Sequence, residues 1–142
     1  TTEAPTTEAP TTEAPVTEAP TSDLGQQIAN FACQFVGNPY VWGGTSLTNG
    51  ADCSGFVQSV YKNFGYSLPR TCTPQSNAGT AVSLAALAPG DLVFYDHGTG
   101  SCEHVGIYIG NGQIVHASSS RTGIKISNVN YSTPFKACRI VN

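Results

Sequence analysis

One cysteine lies where its thiol can act as a nucleophile. Cys53 belongs to the segment Asp52–Phe56, DCSGF, where a glycine-rich loop is predicted to become a helix. A thiol in the first turn of a helix faces unpaired backbone N–H groups and the positive end of the helix dipole, which both favour thiolate. The same N–H groups can stabilise an oxyanion. We expect Asp52 either to cap this helix or to point into a substrate groove. The alternative is an inert, buried cysteine.

Two histidines lie at positions where one can serve this thiol. His104 begins the alternating segment 104–109, and His116 lies near the end of segment 113–117. A turn over 110–112 makes the segments antiparallel neighbours, with the imidazoles as approximate cross-strand partners on one face. Nucleophilic catalysis needs a base beside the nucleophile and a third group that orients the base. His104 is the expected base and His116 the expected orienting group. The alternatives are structural histidines, or a metal pair that lacks an evident third ligand.

The elements that must position these residues follow from periodicity. Apolar residues at helical spacing predict a helix from Ser22 or Asp23 to Gly37, a second from about Cys53 to Phe64, and a short one at Thr73–Pro74. Residues 38–51 are predicted to form a loop. After Pro89–Gly90 the period becomes two, which predicts strands at 92–95, 104–109, 113–117, 123–127 and 137–141. The predicted fold class is α+β, with N-terminal helices packed on a C-terminal antiparallel sheet of about five strands.

The N-terminal segment has a different composition. Residues 1–20 are four copies of Thr-Thr-Glu-Ala-Pro, with Val16 replacing one threonine. Regular proline prevents a helix, and the segment has too few apolar side chains for a core. We therefore divide the chain into an extended linker over 1–21, or an O-glycosylated stalk, and a globular domain over 22–142. A linker joins two parts, so we expect a further domain before it.

Charge and hydropathy exclude two classes of partner. The net charge is −3, with four of the nine acidic residues in the repeat and six scattered bases after it. The bases form no basic stripe, so nucleic acid is not an expected partner. There is no run of about 18 apolar residues, so no membrane span is expected.

Six segments in order resemble one protein family. They are Pro39–Gly44 (PYVWGG), Asp52–Phe56 (DCSGF), Leu68–Arg70 (LPR), Pro89–Phe94 (PGDLVF), His104–Gly110 (HVGIYIG) and Val115–Ala117 (VHA). Together they resemble the NlpC/P60 family of bacterial cell-wall cysteine peptidases, over roughly residues 24–141. The resemblance implies a papain-like α+β fold without a cofactor or a metal. It also implies hydrolysis of peptidoglycan stem peptides at the bond from the γ-carboxyl of D-glutamate to the third residue.

The resemblance also assigns roles to individual residues. It implies Cys53 as nucleophile, His104 as general base and His116 as the polar third member. It implies that Tyr40 reaches the active site and helps to bind the oxyanion. The residues that it implies for the groove are Asp52, Ser54 and Arg70. Where the family often has a serine that helps to clamp a substrate amine, this chain has Cys72, so endopeptidase action on longer fragments remains open.

The roles of several further residues can be interpreted in more than one way. Trp42, beside two glycines, is either a stacking wall of the groove or a core residue. His97 is expected to be a solvated loop residue, and Tyr131 a packing residue. With Cys53 reserved, four cysteines remain, and they allow three pairings that sequence does not choose between: Cys33, Cys72, Cys102 and Cys138.

The predicted protein is a secreted or wall-associated peptidoglycan endopeptidase, monomeric in its catalytic domain. Its expected partners are stem peptides and muropeptides. Two rivals stay open. One is a wall amidase or acyltransferase on the same core, and the other is a catalytically inactive module that binds the wall.

Overall fold

The computed structural model describes residues 23–141, so the predicted linker over 1–21 lies outside the described residues. The helices are α1 (Asp23–Cys33), α2 (Cys53–Lys62) and α3 (Cys72–Ser76). The short strands are β1 (Thr45–Ser46), β2 (Gly50–Ala51) and β3 (Thr80–Ala81). The longer strands are β4 (Leu92–Tyr95), β5 (His104–Gly110), β6 (Gln113–Ser119), β7 (Gly123–Asn128) and β8 (Pro134–Arg139).

The main sheet has the strand order β3-β8-β4-β5-β6-β7, and its strands pair antiparallel. This confirms the α+β class, but the sheet has six strands where about five were predicted. The additional strand is β3, whose two residues pair with β8. The segment 38–51, predicted as a loop, contains the β1–β2 pair. Two-residue strands are too short to show an alternating pattern, which is why the sequence gives no sign of them.

The core lies between the helices and one face of the sheet. Phe56, Val57 and Val60 of α2 are fully buried in one cluster with Val105 and Val115. Each such side chain contributes about 1.5–3 kcal/mol by leaving water. Because strand side chains alternate, His104 and His116 point to the opposite face from their valine neighbours. The helices therefore fix the sheet from one side while the histidines remain on the other.

A buried ion pair and a glycine hold the segment before β4. The Asp91 carboxylate accepts hydrogen bonds of 2.8 Å from both Nε and an Nη of Arg139 on β8. The Tyr61 hydroxyl of α2 donates to the carbonyl of Gly90. Gly90 has a φ of 96°, and a Cβ there would lie 2.9 Å from the Cα of Gly25. The PGDLVF motif thus joins α1, α2 and two strands.

The longest described helix, α1, has 11 residues, and none of the helices within 23–141 has the length and apolar character needed to cross a membrane.

Candidate active site

The helix α2 begins at Cys53, as the sequence predicts. Asp52 is its N-cap, and Oδ1 accepts the backbone N–H of Gly55 at 2.8 Å. A Cβ at Gly55 would collide with the carbonyl of Gly44. The DCSG sequence therefore combines a capping carboxylate with a glycine that lets the preceding loop approach the helix, and this places Cys53 at a fixed point.

The Cys53 thiol faces opposing influences. Burial raises its pKa above the ordinary value and Asp52 adds to the increase, while the backbone N–H groups of Val105 and Ser54 lower it. Burial dominates, so the resting group is a thiol. The N–H groups at the helix start act in the expected direction, but desolvation of the charged form outweighs them.

The two histidines form a buried pair that a serine extends. His104 Nε2 lies 2.6 Å from His116 Nδ1, and His116 Nε2 lies 2.8 Å from Ser127 Oγ on β7. Burial lowers the pKa of His104 to about 3, with smaller contributions from His116 and His97. Burial also lowers the pKa of His116 to about 4. Both imidazoles are therefore neutral at neutral pH.

The histidines are diagonal neighbours across the hairpin, not direct partners. Ile107 pairs with Val115, and the register between β5 and β6 shifts between Tyr108 and Gly110. This register puts His116 opposite Gly106. A Cβ on Gly106 would lie 3.3 Å from the Cβ of His116, so the glycine leaves room for the ring to reach His104. The prediction that 104 and 116 are approximate cross-strand partners on one face is confirmed, and the exact register places them one diagonal step apart.

The predicted site residues meet at one cavity of about 750 Å³. Those that line it are Tyr40, Trp42, Asp52, Cys53, Ser54, Arg70 and His104. His116 is fully buried. It contacts the cavity only through His104 in the chain of hydrogen bonds described above.

Arg70 joins two of the groove residues. Its guanidinium donates to Ser54 Oγ at 2.9 Å and to Asp52 Oδ2 at 3.0 Å. Partial burial acts to raise the pKa of Asp52, but the hydrogen bonds from Arg70 and from the Gly55 and Gly43 N–H groups bring it below the ordinary value. Asp52 is therefore an ionised, paired carboxylate in the groove wall, and it is also the cap of α2.

Two aromatic residues form another part of the wall. Trp42 is 85% exposed, so its alternative assignment to the core is wrong. Tyr40 packs partly against the main core. Burial raises the pKa of its hydroxyl, and Cys53 and Asp52 add to the increase. Tyr40 thus presents a neutral hydroxyl, which is able to donate a hydrogen bond.

The sequence interpretation missed three residues around the histidines. Ser127 lies on β7, two residues from Lys125, which pairs with His116, so strand alternation could have revealed it. The ring of Tyr131 lies 5.2 Å from that of His116, and the exposed ring of His97 stacks on His104 at 5.8 Å. His97 was predicted to be a solvated loop residue and Tyr131 a packing residue, because residues in loops give no periodic signal that would place them at the site.

A disulfide joins Cys72 to Cys102, and both residues line the cavity. It links α3 to the loop that precedes β5. Cys33 and Cys138 are free thiols. Of the pairings that the sequence left open, the structure therefore has one bridge at the groove and none between Cys33 and Cys138.

Within residues 23–141, no group of three or more histidine, cysteine, aspartate or glutamate side chains is arranged to hold a metal ion. The metal-pair alternative for His104 and His116 finds no third ligand among these residues.

Several known proteins are similar to this chain in sequence. The sequence is 42% identical over 105 residues to a gamma-D-glutamyl-L-lysine dipeptidyl-peptidase of Bacillus cereus, covering 72% of this chain and 31% of that protein. It is 47% identical over 111 residues to a gamma-DL-glutamyl hydrolase of Bacillus subtilis, covering 77% of this chain and 26% of that protein. The chain thus spans less than a third of the length of these relatives.

Solved structures agree. An NlpC/P60 family protein from Bacillus cereus superposes with a TM-score of 0.78 at 36% identity, covering 89% of this chain and 43% of that one. The NlpC/p60 domain of the peptidoglycan hydrolase SagA gives a TM-score of 0.74 at 36% identity, covering 82% and 98%. The sequence model of the NlpC/P60 family matches residues 37–141. With the fold and these matches in agreement, the chain belongs to the NlpC/P60 family.

Proposed function

We propose that this domain is a secreted cysteine endopeptidase that hydrolyses the bond between the D-glutamyl γ-carboxyl and the third residue of peptidoglycan stem peptides. One observation carries the proposal. Cys53 and His104 line the same cavity, and His104 is held from behind by His116 at 2.6 Å. The names of the relatives, a gamma-D-glutamyl-L-lysine dipeptidyl-peptidase and a peptidoglycan hydrolase, support the substrate class.

The hydrogen-bond chain is compatible with the tautomer that the mechanism needs. Neutral His104 can donate Nε2–H to His116 Nδ1, and His116 can then donate Nε2–H to Ser127 Oγ. In this arrangement His104 Nδ1 carries a lone pair and can accept the thiol proton. The opposite arrangement puts a proton on Nδ1 and removes the base. We assign the first arrangement, in which His116 accepts from His104 and orients its ring.

Acylation follows from a neutral thiol–imidazole pair. The Cys53 proton passes to His104 Nδ1 as the sulfur attacks the γ-carbonyl carbon, which gives a tetrahedral oxyanion. We assign the N–H groups at the start of α2 and the Tyr40 hydroxyl to that oxyanion. The C–N bond then breaks, and His104 returns the proton to the leaving amine. Because burial keeps both groups neutral, proton transfer accompanies the attack.

Deacylation again uses His104 as the base, with water as the nucleophile. His104 accepts a proton from water, the oxygen attacks the thioester carbonyl, and the sulfur leaves and regains its proton from His104. The products are a γ-carboxylate and the free Cys53 thiol. Asp52, Ser54 and Arg70 form the polar wall beside the nucleophile. Trp42 offers an exposed indole on which part of the substrate can stack.

Digestion of defined stem peptides tests the proposal. We expect mass spectrometry to identify a new α-amine on the third residue and a free γ-carboxyl on D-glutamate. Cys53→Ala should reduce turnover on the order of 10⁴-fold or more, because no nucleophile remains. Cys33→Ala is the matched control, since Cys33 is also a half-buried free thiol but lies on α1. Its rate should equal that of the unmodified chain.

Three outcomes would contradict the proposal. Release of a product cut at a different bond would favour the amidase reading. Transfer of the acyl group to an added amine without hydrolysis would favour an acyltransferase. Binding to purified wall without turnover of any stem peptide would favour the inactive module.

A further inference from the structure

Two rings outside the hydrogen-bonded relay lie directly against the catalytic histidines. The His97 ring stacks on His104 with centroids 5.8 Å apart and planes 23° apart. The Tyr131 ring lies 5.2 Å from His116 and 6.4 Å from His104. His97 Nε2 and the Tyr131 hydroxyl are 3.4 Å apart, so the two side chains are in contact with each other. We call His97 and Tyr131 the aromatic cover.

The backbone holds His97 in an unusual conformation. Its φ is 51°, and the next residue, Gly98, has a φ of 84°. The N–H of Thr99 donates to the carbonyl of Asp96 at 2.9 Å, which closes a turn with both central residues in the left-handed region. A residue with a side chain is uncommon there. Such a conformation beside a catalytic group favours a functional reason for the side chain.

The far end of the same loop is fixed as well. Cys102 is bonded to Cys72, and the N–H of Glu103 donates to the carbonyl of Tyr95 at 2.8 Å. Both ends of the segment that carries His97 are therefore anchored. The imidazole rests over His104 on a braced loop, although the ring itself is exposed to solvent.

The cover lies between the histidine pair and water. His104 is 5% exposed and His116 is fully buried, whereas Tyr131 is 43% exposed. The other groups that face the pair are the Tyr95 ring from β4, Lys125 and Ser127 from β7, and Cys53 from α2. Of these groups the Tyr95 ring is fully buried, whereas Lys125, Ser127 and Cys53 are partly exposed. Removal of the His97 and Tyr131 rings would expose more of the histidine pair.

We propose that His97 and Tyr131 are positioning residues that shield His104 and His116 from water and hold the His104 ring toward Cys53. The role rests on the proposed function of His104 as the base. The effect of the cover on the pKa values of the two histidines does not rest on that function, because it depends only on how well water hydrates the protonated rings. A shielded imidazole remains neutral in mild acid, so the base stays available there. Without the cover, water stabilises the protonated form and the pKa of the pair rises toward its ordinary value.

Histidine NMR titration of the full chain tests this without any substrate. In Tyr131→Ala, the midpoints of His104 and His116 should rise by at least about 1 pH unit. Tyr131→Phe retains the ring and should move them much less. His97→Asn should also raise them, since asparagine tolerates the left-handed backbone while it removes the ring. Phe135→Ala is the matched control, because Phe135 on β8 is 42% exposed and belongs to no part of the cover.

Turnover measured against pH provides the second readout. The acid limb of kcat/KM should move to higher pH in Tyr131→Ala and His97→Asn by the same amount as the NMR midpoints. Unmoved midpoints in both variants, with a rate that falls equally at every pH, would overturn the shielding role. If the unmodified chain cleaves no stem peptide but the midpoints still move, the proposed function fails and the shielding role survives.

Discussion

Among residues 23–141, two Asp–Arg ion pairs of the same chemical type lie in different surroundings. Asp91 and Arg139 lie inside the fold, with side chains 2% and 24% exposed. Asp52 and Arg70 lie in the groove wall, with side chains 11% and 34% exposed. Both aspartates belong to segments that resemble family motifs, but only Asp52 is predicted from the sequence to line the groove. The structure separates a pair that holds strands together from a pair that lines the cavity.

The interior pair is saturated by protein groups. The Asp91 carboxylate also accepts the backbone N–H of Ala88 at 2.8 Å, and Arg139 donates to the carbonyl of Ala86 at 3.2 Å. In the groove pair, the Asp52 carboxylate contacts both the start of α2 and Arg70. Asp52 gives one oxygen to the helix cap and the other to Arg70 at the cavity. Position relative to the sheet, not residue type, therefore decides whether such a pair supports the fold or the site.

The largest expected effect is on the interior pair. Asp91→Asn leaves Arg139 largely buried without a counter-charge and should lower the free energy of unfolding by about 3–5 kcal/mol. Asp52→Asn should lower the free energy of unfolding much less, because Asp52 is more exposed to solvent and asparagine is also a good N-cap. Chemical denaturation of both variants measures this. A greater loss of stability in Asp52→Asn would reverse the comparison between the two pairs.

The disulfide at the groove should give the next effect. Reduction of Cys72–Cys102 should lower the free energy of unfolding by about 2–4 kcal/mol, because the bridge restricts the unfolded chain. The double variant Cys72→Ser, Cys102→Ser should show the same loss and should not respond to reductant. Thermal unfolding with and without a dithiol gives the measurement. A melting temperature that is equal in both conditions would show that the bridge adds no stability.

The smallest effect on stability should come from the groove pair. Arg70→Gln removes a partly exposed ion pair and should change the free energy of unfolding by less than about 1 kcal/mol. It also removes the guanidinium from Ser54 Oγ and leaves Asp52 Oδ2 with only the Gly43 N–H, so kcat/KM should fall by roughly tenfold. Arg121→Gln, at an exposed position between β6 and β7, is the control. Equal kcat/KM in the two variants would remove Arg70 from the binding surface.

Periodic segments made much of the fold predictable. The start of α2 at Cys53 and the strands that carry His104 and His116 follow from local patterns. The register could not be obtained in this way, since a bulge at the β5–β6 turn changes which residues face each other. A turn position gives the approximate partner, but a one-residue irregularity moves every pair beyond it.

Properties that depend on burial were harder to predict. Backbone N–H groups at the start of α2 lower the pKa of Cys53 as expected, but the desolvation that outweighs them depends on how much protein surrounds the sulfur. The exposure of Trp42 could not be predicted either, because no local sequence pattern indicates it. Cysteine pairing is a three-dimensional fact, so spacing left Cys72 and Cys102 among several alternatives. His97 and Tyr131 lie in loops, where residue type alone carries no positional information.

The relay of His104, His116 and Ser127 lies on three consecutive strands joined by short turns. Its contacts are local in sequence, and contacts of this kind close with little loss of chain entropy. The nucleophile enters from α2, which precedes these strands by several elements and must dock against β5. A chain with only its hairpins formed would therefore hold a base without a thiol. Under the proposed function, catalysis therefore requires this long-range docking, and a partly folded domain should be inactive.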